Sequence, residues 1–578
     1  MRLFNHIVPL AGRARRGLER VTPSHKAMAF FVLLLLLLLL PNLLLAIRCN
    51  YSAASTIAGI ALPAAIYLMI GASVRFSGGV ALLMVGVVAL CAFQIVLIHL
   101  FGGVTIAADM FMNLSTTNSG EAGELLGNIT GVLAIILLIY ASLLVVAWLA
   151  TRSRLRISLP MRKRLSKVAV LLLAVGIVAL LVANINSPHS ILLREVFPVN
   201  AICNLRASVD THLRLRRYGR SSSEFRFDAE RSHPPRGREL YIYIIGEASR
   251  RASWGLFGYE RNTTPCLSRR DDITLLEEVV TQSNTTHKSV PLLLSGVGAS
   301  EYAELYRRKG ICSLFGEAGF RTYFISNQQR QGAMVDYLAA EADSTLYLGS
   351  GRYDDVLLSA LRSLLREDEP SPTFVVLHCY GSHYDYRERY PADFSRWVPD
   401  GKGELKFSRE AIRNSYDNSV LYTDHILSSI IAYAESLDCC AAILYCSDHG
   451  EDLYDDHRER FLHSSPTLSR YQLQVPAFVW LSKRYTEAYP DKAATIERNR
   501  RYGSTTRSMF HTIAEIAHIE SMHIDTEASF AGRNFDTAQR RHYLDDYNEA
   551  VPLTDARLGL NEEDMEALGI DQKQEKRL

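Results

Sequence analysis

Tyr445-Cys446-Ser447-Asp448-His449-Gly450-Glu451 is the stretch that decides how the rest of the chain is read. Five apolar residues, 441–445, run straight into Ser-Asp-His-Gly. That pattern predicts a buried strand ending in a turn that presents a carboxylate and an imidazole side by side. Both groups suit Zn²⁺. Alone, such a turn is equally an ordinary loop. Its weight comes from other stretches that could meet it.

Working outward, the same strand-then-turn pattern recurs. In Ile244-Ile245-Gly246-Glu247-Ala248-Ser249-Arg250 a strand ends, a glycine turns the chain, and Glu247 stands where a carboxylate could reach a metal. A solvated surface Glu is the alternative. Gln282-Ser283-Asn284-Thr285-Thr286-His287-Lys288-Ser289-Val290-Pro291 follows a strand and precedes apolar 292–294. A hydroxyl at a helix start meets free N–H groups and the positive end of the dipole, which favour phosphate. Ser, Thr and Asn are also ordinary helix caps. A Thr hydroxyl is a poor nucleophile unless a metal or base lowers its pKa. His378-Cys379-Tyr380-Gly381-Ser382-His383 follows the strand 374–377. His383, after the glycine, can face a site, whereas His378 lies in the strand end and reads as structural. His463 follows at a distance that lets a loop fold back. His457, among Asp455, Asp456, Arg458 and Glu459, reads as solvated.

From residue 239 onward strands and helices alternate. Strands are predicted at 240–245, 273–280, 322–325, 374–377, 441–445 and 476–481, and helices at 354–365, 409–437 and 507–519. Such alternation implies a mainly parallel sheet between helices, with sites beyond the carboxyl ends of the strands.

The first third is different. Five candidate spans, 27–47, 52–72, 79–101, 129–150 and 167–182, approach the ~20 apolar residues that cross a bilayer as helix. The first is too long for a secretory signal, and four more follow. Six Lys/Arg precede it, seven lie between the fourth and fifth, and 102–128 has none. The positive-inside rule then puts the N-terminus in the cytoplasm, and an odd number of spans puts everything after about 186 outside it. A transporter or sensor is the alternative from another class; no span carries a clear midplane charge, which argues against transport. In the polar loop 102–128, Asn113, Thr117 and Glu121 are four apart and would share a helix face. That face is either solvated or holds a lipid head group. Residues 187–220 mix aliphatic and Arg residues like an interfacial bridge on an anionic membrane, and 221–237 reads as a linker. The domains are therefore 1–186 (transmembrane), 187–237 (bridge and linker) and 238–578 (soluble).

The 63 basic and 61 acidic residues, net +2, give no global signal for nucleic acid. Nine cysteines without a CxxC pair speak against zinc fingers, and no disulfide can be paired from sequence.

Together these stretches resemble the phosphoethanolamine transferases of the Gram-negative envelope, within the alkaline-phosphatase and sulfatase superfamily. The resemblance is carried by GEASRRASWGLFGYERNTTP (246–265), NTTHKSVP (284–291), GSHYDYRERYP (381–391), YDNSVLYTDHIL (416–427) and SDHGE (447–451), and it covers nearly the whole chain. It implies an α-helical domain of five spans plus an extracytoplasmic α/β domain of alkaline-phosphatase type. It implies metal ligation by Glu247, Thr286, Asp448 and His449, with Thr286 as nucleophile, and one zinc with room for a second. His383 and His463 fall beside the substrate as catalytic or binding groups. Asn113, Thr117, Glu121 and Asn327 fall among the substrate-binding positions. The implied reaction moves phosphoethanolamine from phosphatidylethanolamine to lipid A or another envelope acceptor through a threonine-linked intermediate. The implied setting is the inner membrane, with the catalytic domain in the periplasm, working as a monomer on membrane lipid. A phosphoglycerol transferase, or transfer to an envelope glycan, is the alternative. A sulfatase would need a Cys or Ser in C/S-x-P-x-R, which 281–295 lacks. Two departures stand out. Members often flank the nucleophile with disulfide-bonded cysteines, where this chain has Thr281 and Leu292. The spacing from His449 to His463 is also longer than the family's.

Overall fold

A computed structural model describes residues 22–49, 51–116, 129–185, 187, 189–234, 237–349, 352–365, 371–401 and 408–570. The chain divides into two compact units, Met1–Phe111 with Leu126–Ser208, and Met112–Leu125 with Val209–Leu578.

The first unit is helical. Its elements include α1 (Pro23–Arg48), α2 (Ala53–Ser73), α3 (Ser77–Leu83), α4 (Val85–Phe101), α5 (Ala108–Thr116), α6 (Thr130–Arg152) and α7 (Leu159–Ile185). Helix α5 passes from this unit into the next. Four helices, α1, α2, α6 and α7, are long and apolar enough to cross a membrane, and α3 with α4 makes a fifth if the bent pair is counted as one. The single span predicted at 79–101 is thus broken: the two pieces meet at 67°. Met84, between them, leaves helical geometry at φ −100°, ψ 19°. An apolar run reports lipid exposure and is blind to such a bend. The span predicted at 167–182 starts earlier, at Leu159, so Arg162, Lys163 and Arg164 lie on the helix. Packing in this unit depends on small residues. A Cβ on Gly176 of α7 would sit 2.7 Å from Leu62 Cδ2 of α2. One on Gly78 of α3 would sit 2.1 Å from the Ala147 carbonyl of α6. Without side chains at these points the helices approach closely and gain dispersion contacts.

The second unit holds a seven-stranded sheet. In chain order its strands are β1 (Glu239–Gly246), β2 (Ile273–Leu275), β3 (Arg321–Ser326), β4 (Ser344–Tyr347), β5 (Thr373–His378), β6 (Cys440–Ser447) and β7 (Ala477–Leu481). Across the sheet they run β2-β7-β6-β1-β5-β3-β4. The five from β6 to β4 are parallel, and β7 is antiparallel to both β6 and β2. The sheet is therefore mixed at one edge. The strand predicted at 273–280 is two pieces: β2, and Val279–Val280, which pairs in a separate ladder with Ser504–Thr505. Inside the predicted linker, Glu230–Arg231 pairs with Ile519–Glu520.

Strand β1 shows why the sheet is covered on both sides. Tyr241, Tyr243 and Ile245 enter one core, while Leu240, Ile242 and Ile244 enter the other. Period-two alternation sends successive side chains to opposite faces. The first core takes in α8 (Thr286–Ser295) through Val290 and Leu292–Leu294. The second takes in α9 (Asp355–Leu364) and α10 (Arg409–Ser436) through Leu357, Leu361, Val420, Ile430 and Ile431. Each such side chain, fully buried, stabilises by about 1.5–3 kcal/mol. The register puts Gly246 opposite Ser447, Ile245 opposite His378 and His378 opposite Ser326. Four loops thus leave the sheet at one level, each bearing a polar sequence. All nine cysteines are free thiols.

Candidate active site

Beyond that level the loops after β1 and β6 and the N-terminus of α8 converge. Glu247 and Asp448 each follow the last residue of a strand, and His449 follows Asp448; all three are fully buried. Thr286 is the first residue of α8. Its Oγ1 lies 3.1 Å from Glu247 Oε1 and 3.3 Å from His449 Nε2. His449 Nε2 is 3.4 Å from Glu247 Oε1 and 3.4 Å from Asp448 Oδ2. Glycines make this closeness feasible. Gly381 has φ +51°, and a Cβ there would stand 2.6 Å from the Glu247 carbonyl oxygen. A Cβ on Gly450 would stand 2.0 Å from the Tyr471 carbonyl.

Every ligand-type group has a fixed orientation. The His449 Nδ1 is 2.9 Å from the Gly450 carbonyl, so Nδ1–H donates there and the Nε2 lone pair faces the cluster. Asp448 Oδ1 accepts from the backbone N–H of Ala248 and His449, and Oδ2 accepts from the Ser289 hydroxyl at 2.8 Å. Ser289 lies three residues after Thr286 on the same helix, hence on the same face. Glu247 Oε2 accepts from Gln328 Nε2 at 3.0 Å, and that amide also donates to the Cys379 carbonyl.

Two carboxylate oxygens, an imidazole lone pair and a hydroxyl oxygen therefore point at one place without a positive centre of their own. The ligating atoms of Glu247, Asp448 and His449 lie within 4.8 Å of one another. The electrostatics express the same demand. Burial pulls the His449 ring down, but Asp448 and Glu247 outweigh it and hold its pKa well up. Burial and then the charge of Glu247 push Asp448 up, whereas the hydrogen bond and charge of His449 overcome burial to hold Glu247 down. Two buried carboxylates crowd one imidazole, a demand that a dication would satisfy. The donor set suits Zn²⁺.

A second layer stands beside it. The His463 ring is 4.2 Å from that of His449 and 6.3 Å from that of His383. His463 Nδ1 is 2.7 Å from Glu451 Oε2, and Tyr386 donates to Glu451 Oε1 at 2.6 Å. Ligating atoms of His449, Glu451 and His463 form a second group within 4.8 Å. His383 stacks on Tyr380, with Nδ1 2.6 Å from the Tyr384 carbonyl.

The structure thus brings Glu247, Thr286, Asp448 and His449 together, with His463 alongside and His383 next to it. Asn327 is turned away to Asp354 (2.8 Å) and the Arg352 carbonyl (3.0 Å). Its neighbour Gln328, overlooked in the sequence, is the one that reaches Glu247; its signal was the third strand end at the same level. Ser289 and Glu451 were also overlooked as functional positions, though both stand inside the quoted motifs. His378 is buried against Ser326, and burial lowers its pKa to about 4. Asn113 is half-buried on α5, while Thr117 and Glu121 lie outside the described residues.

Residues 239–519 match the family profile described as Sulfatase. The Kdo(2)-lipid A phosphoethanolamine 7''-transferase of Escherichia coli (strain K12) is 30% identical over 260 residues, 43% of this chain and 45% of that protein. The chain spans about half the length of the curated relatives it matches. The integral membrane lipooligosaccharide phosphoethanolamine transferase A of Neisseria meningitidis has a similar fold, with TM-score 0.67 at 19% identity over 87% of this chain and 98% of that one. The C-terminal periplasmic domain of EptC from Escherichia coli, solved as a complex with Zn, follows at TM-score 0.52 and 22% identity, over 56% of this chain and 94% of that one.

Proposed function

We propose that the chain is a phosphoethanolamine transferase, like the curated proteins to which its sulfatase-like domain is similar, and that it moves phosphoethanolamine from phosphatidylethanolamine to lipid A or another lipopolysaccharide acceptor. The observation that carries this reading is the Thr286 hydroxyl. It stands at a helix N-terminus, 3.1 Å from a buried carboxylate and 3.3 Å from an imidazole nitrogen. A half-buried hydroxyl held so, beside a cluster that suits a dication, is an activated nucleophile rather than a cap.

Glu247, Thr286, Asp448 and His449 would hold Zn²⁺. When bound, the ion would lower the pKa of the hydroxyl and offset charge on phosphoryl oxygens. The chain's own residues do the rest. Thr286 Oγ attacks the phosphorus of phosphatidylethanolamine and loses its proton. The bond from phosphorus to the diacylglycerol oxygen breaks, and that oxygen leaves as the alcohol after taking a proton. Phosphoethanolamine is then carried on Thr286. An acceptor oxygen attacks the same phosphorus, and Thr286 Oγ departs and regains its proton. His463, whose ring lies against that of His449, and His383 beyond it are the groups assigned to give and take these protons. The N-terminus of α8 turns the positive end of its dipole toward the phosphoryl oxygens.

Both donor and acceptor are lipids, which gives the membrane-spanning helices a role. In this reading they anchor the chain in the inner membrane with the N-terminus cytoplasmic. Residues 238–578 then act in the periplasm at the lipid surface, as a monomer. Asn113, Thr117 and Glu121 belong to the segment that meets the donor head group.

The test is mass spectrometry of lipid A from cells carrying the wild-type chain or Thr286→Ala. One added phosphoethanolamine, present only with Thr286, is the expected result. A gain that survives Thr286→Ala would refute the nucleophile. No gain in either strain would move the acceptor elsewhere, to be followed with labelled ethanolamine.

A further inference from the structure

We propose that Glu451 is a positioning residue: it binds Nδ1–H of His463 and so presents Nε2 of that ring to the substrate. This deepens the transferase reading and rests on it. Glu451 is the last residue of the stretch that organises the chain, yet none of the steps above uses it. It is fully buried, and a carboxylate is costly to bury without partners. Its partners are all accounted for. The backbone N–H is taken by the Tyr471 carbonyl at 3.0 Å. Oε1 receives the Tyr386 hydroxyl at 2.6 Å, and burial together with the charge of Glu451 raises the Tyr386 pKa, which keeps that group a donor. Oε2 lies 2.7 Å from His463 Nδ1.

A carboxylate oxygen only accepts, so the proton of a neutral His463 must reside on Nδ1. The nitrogen left with a lone pair is Nε2. The ring is half-buried and lies against His449, 4.2 Å between centroids. Fixing a ring's tautomer and rotation through its far nitrogen is the usual task of a carboxylate behind a functional imidazole. The tie also explains two motif residues at once. Tyr386 belongs to the GSHYDYRERYP stretch and Glu451 to SDHGE, and their contact joins the two loops at the point where His463 needs a fixed partner. The loop carrying His463 is a short ladder, Asp452–Leu453 with Phe461–Leu462, which leaves the ring at its edge. Glu451 supplies an anchor that this ladder does not.

The experiment uses the full chain in detergent with phosphatidylethanolamine. It compares Glu451→Ala, Glu451→Gln, His463→Ala and the Glu451→Ala/His463→Ala double variant. Diacylglycerol release gives kcat and KM, and bound zinc is measured by mass spectrometry of the metal. Solid-state ¹⁵N spectra of histidine-labelled chain, minus that of His463→Ala, isolate the His463 ring. Glu451→Ala should lower kcat about 10–100-fold with KM and zinc content nearly unchanged. The double variant should be no slower than His463→Ala alone. Glu451→Gln, whose amide oxygen can still accept Nδ1–H, should retain most of the rate. The ¹⁵N signals should show Nδ1–H in the wild type and a tautomer mixture in Glu451→Ala. Additive losses, or a tautomer unchanged by Glu451→Ala, would overturn the assignment. If the wild type released no diacylglycerol, the transferase reading would fail, while the ¹⁵N spectra would still decide the role of Glu451.

Discussion

The cluster around Glu247, Asp448 and His449 and the contact between helices α2 and α7 are both tight, and they are tight for opposite reasons. In the cluster each atom is held by a directed partner: Asp448 by Ser289 and two backbone amides, Glu247 by Gln328, His449 by the Gly450 carbonyl. In the helix pair closeness comes from missing volume, with Gly176 lying under Leu62 and Ala58 beside Ala179. The first region should therefore register the loss of one hydrogen bond at constant shape. The second should register one added methyl group and ignore polarity.

Ser289→Ala puts that contrast to its hardest test, because it removes a donor to Asp448 Oδ2 and little else. Zinc affinity, measured by competition with a chromogenic chelator, should fall about 10–100-fold. An unchanged affinity would mean that the hydroxyl does not orient the carboxylate, and the contrast would collapse. Next comes Gly176→Leu, which should destabilise the full chain in detergent by about 1–3 kcal/mol in thermal unfolding. Gly59→Ala is its control, since a Cβ there meets nothing within 4 Å and should stabilise by up to about 1 kcal/mol rather than destabilise. Equal effects at the two glycines would show that helix propensity matters more than fit.

An effect of similar size, read through pH, is expected where a polar group is lodged in an apolar layer. His511, on the helix Arg507–Ile516, is buried with its Nδ1 accepting from the Asp525 N–H at 3.1 Å. Burial, helped by Arg507, pushes its pKa down to about 3. A folded-state pKa below the unfolded value of about 6.5 means that the stabilisation is present above pH 6.5 and is lost as pH falls toward 3. At pH 5 the loss amounts to about 2 kcal/mol. His511→Asn should flatten the acid limb of a melting-temperature profile by about that amount. A parallel profile would show that other groups carry the acid sensitivity.

How much of this was legible beforehand follows from the same contrast. Strands β1, β5 and β6 have apolar centres and end in glycine or polar turns, so their ends and the groups beyond them could be read directly. Thr286 could be placed only through the resemblance, because the local sequence reads as an ordinary helix cap. Gln328 could not, since nothing local distinguishes it from Asn327; only the pairing of Ser326 with His378 decides which of the two faces Glu247. The antiparallel β7 was hidden for a related reason. A strand buried on both faces has the same composition whichever way it runs. The bend at Met84 was hidden because hydropathy is a sum, and a sum has no direction. Thr281 is more instructive. It occupies a position where the resemblance leads one to expect a cysteine, and its Oγ1 lies 2.6 Å from the Asp448 carbonyl. The loop before Thr286 is thus tied directly to the Asp448-His449 turn by a side-chain hydrogen bond.

That substitution belongs to a wider property: none of the nine sulfurs is bridged, and six of the nine, at 91, 312, 379, 439, 440 and 446, are buried. An oxidising compartment has nothing here to lock, and a reductant has nothing to unlock, so the yield of folded chain should be indifferent to thiol-disulfide isomerases. The practical benefit falls to spectroscopy. Only Cys49, Cys203 and Cys266 are partly exposed. Replacing those three by serine leaves a background against which a single maleimide dye or spin label, introduced at any chosen surface position, reports without competition.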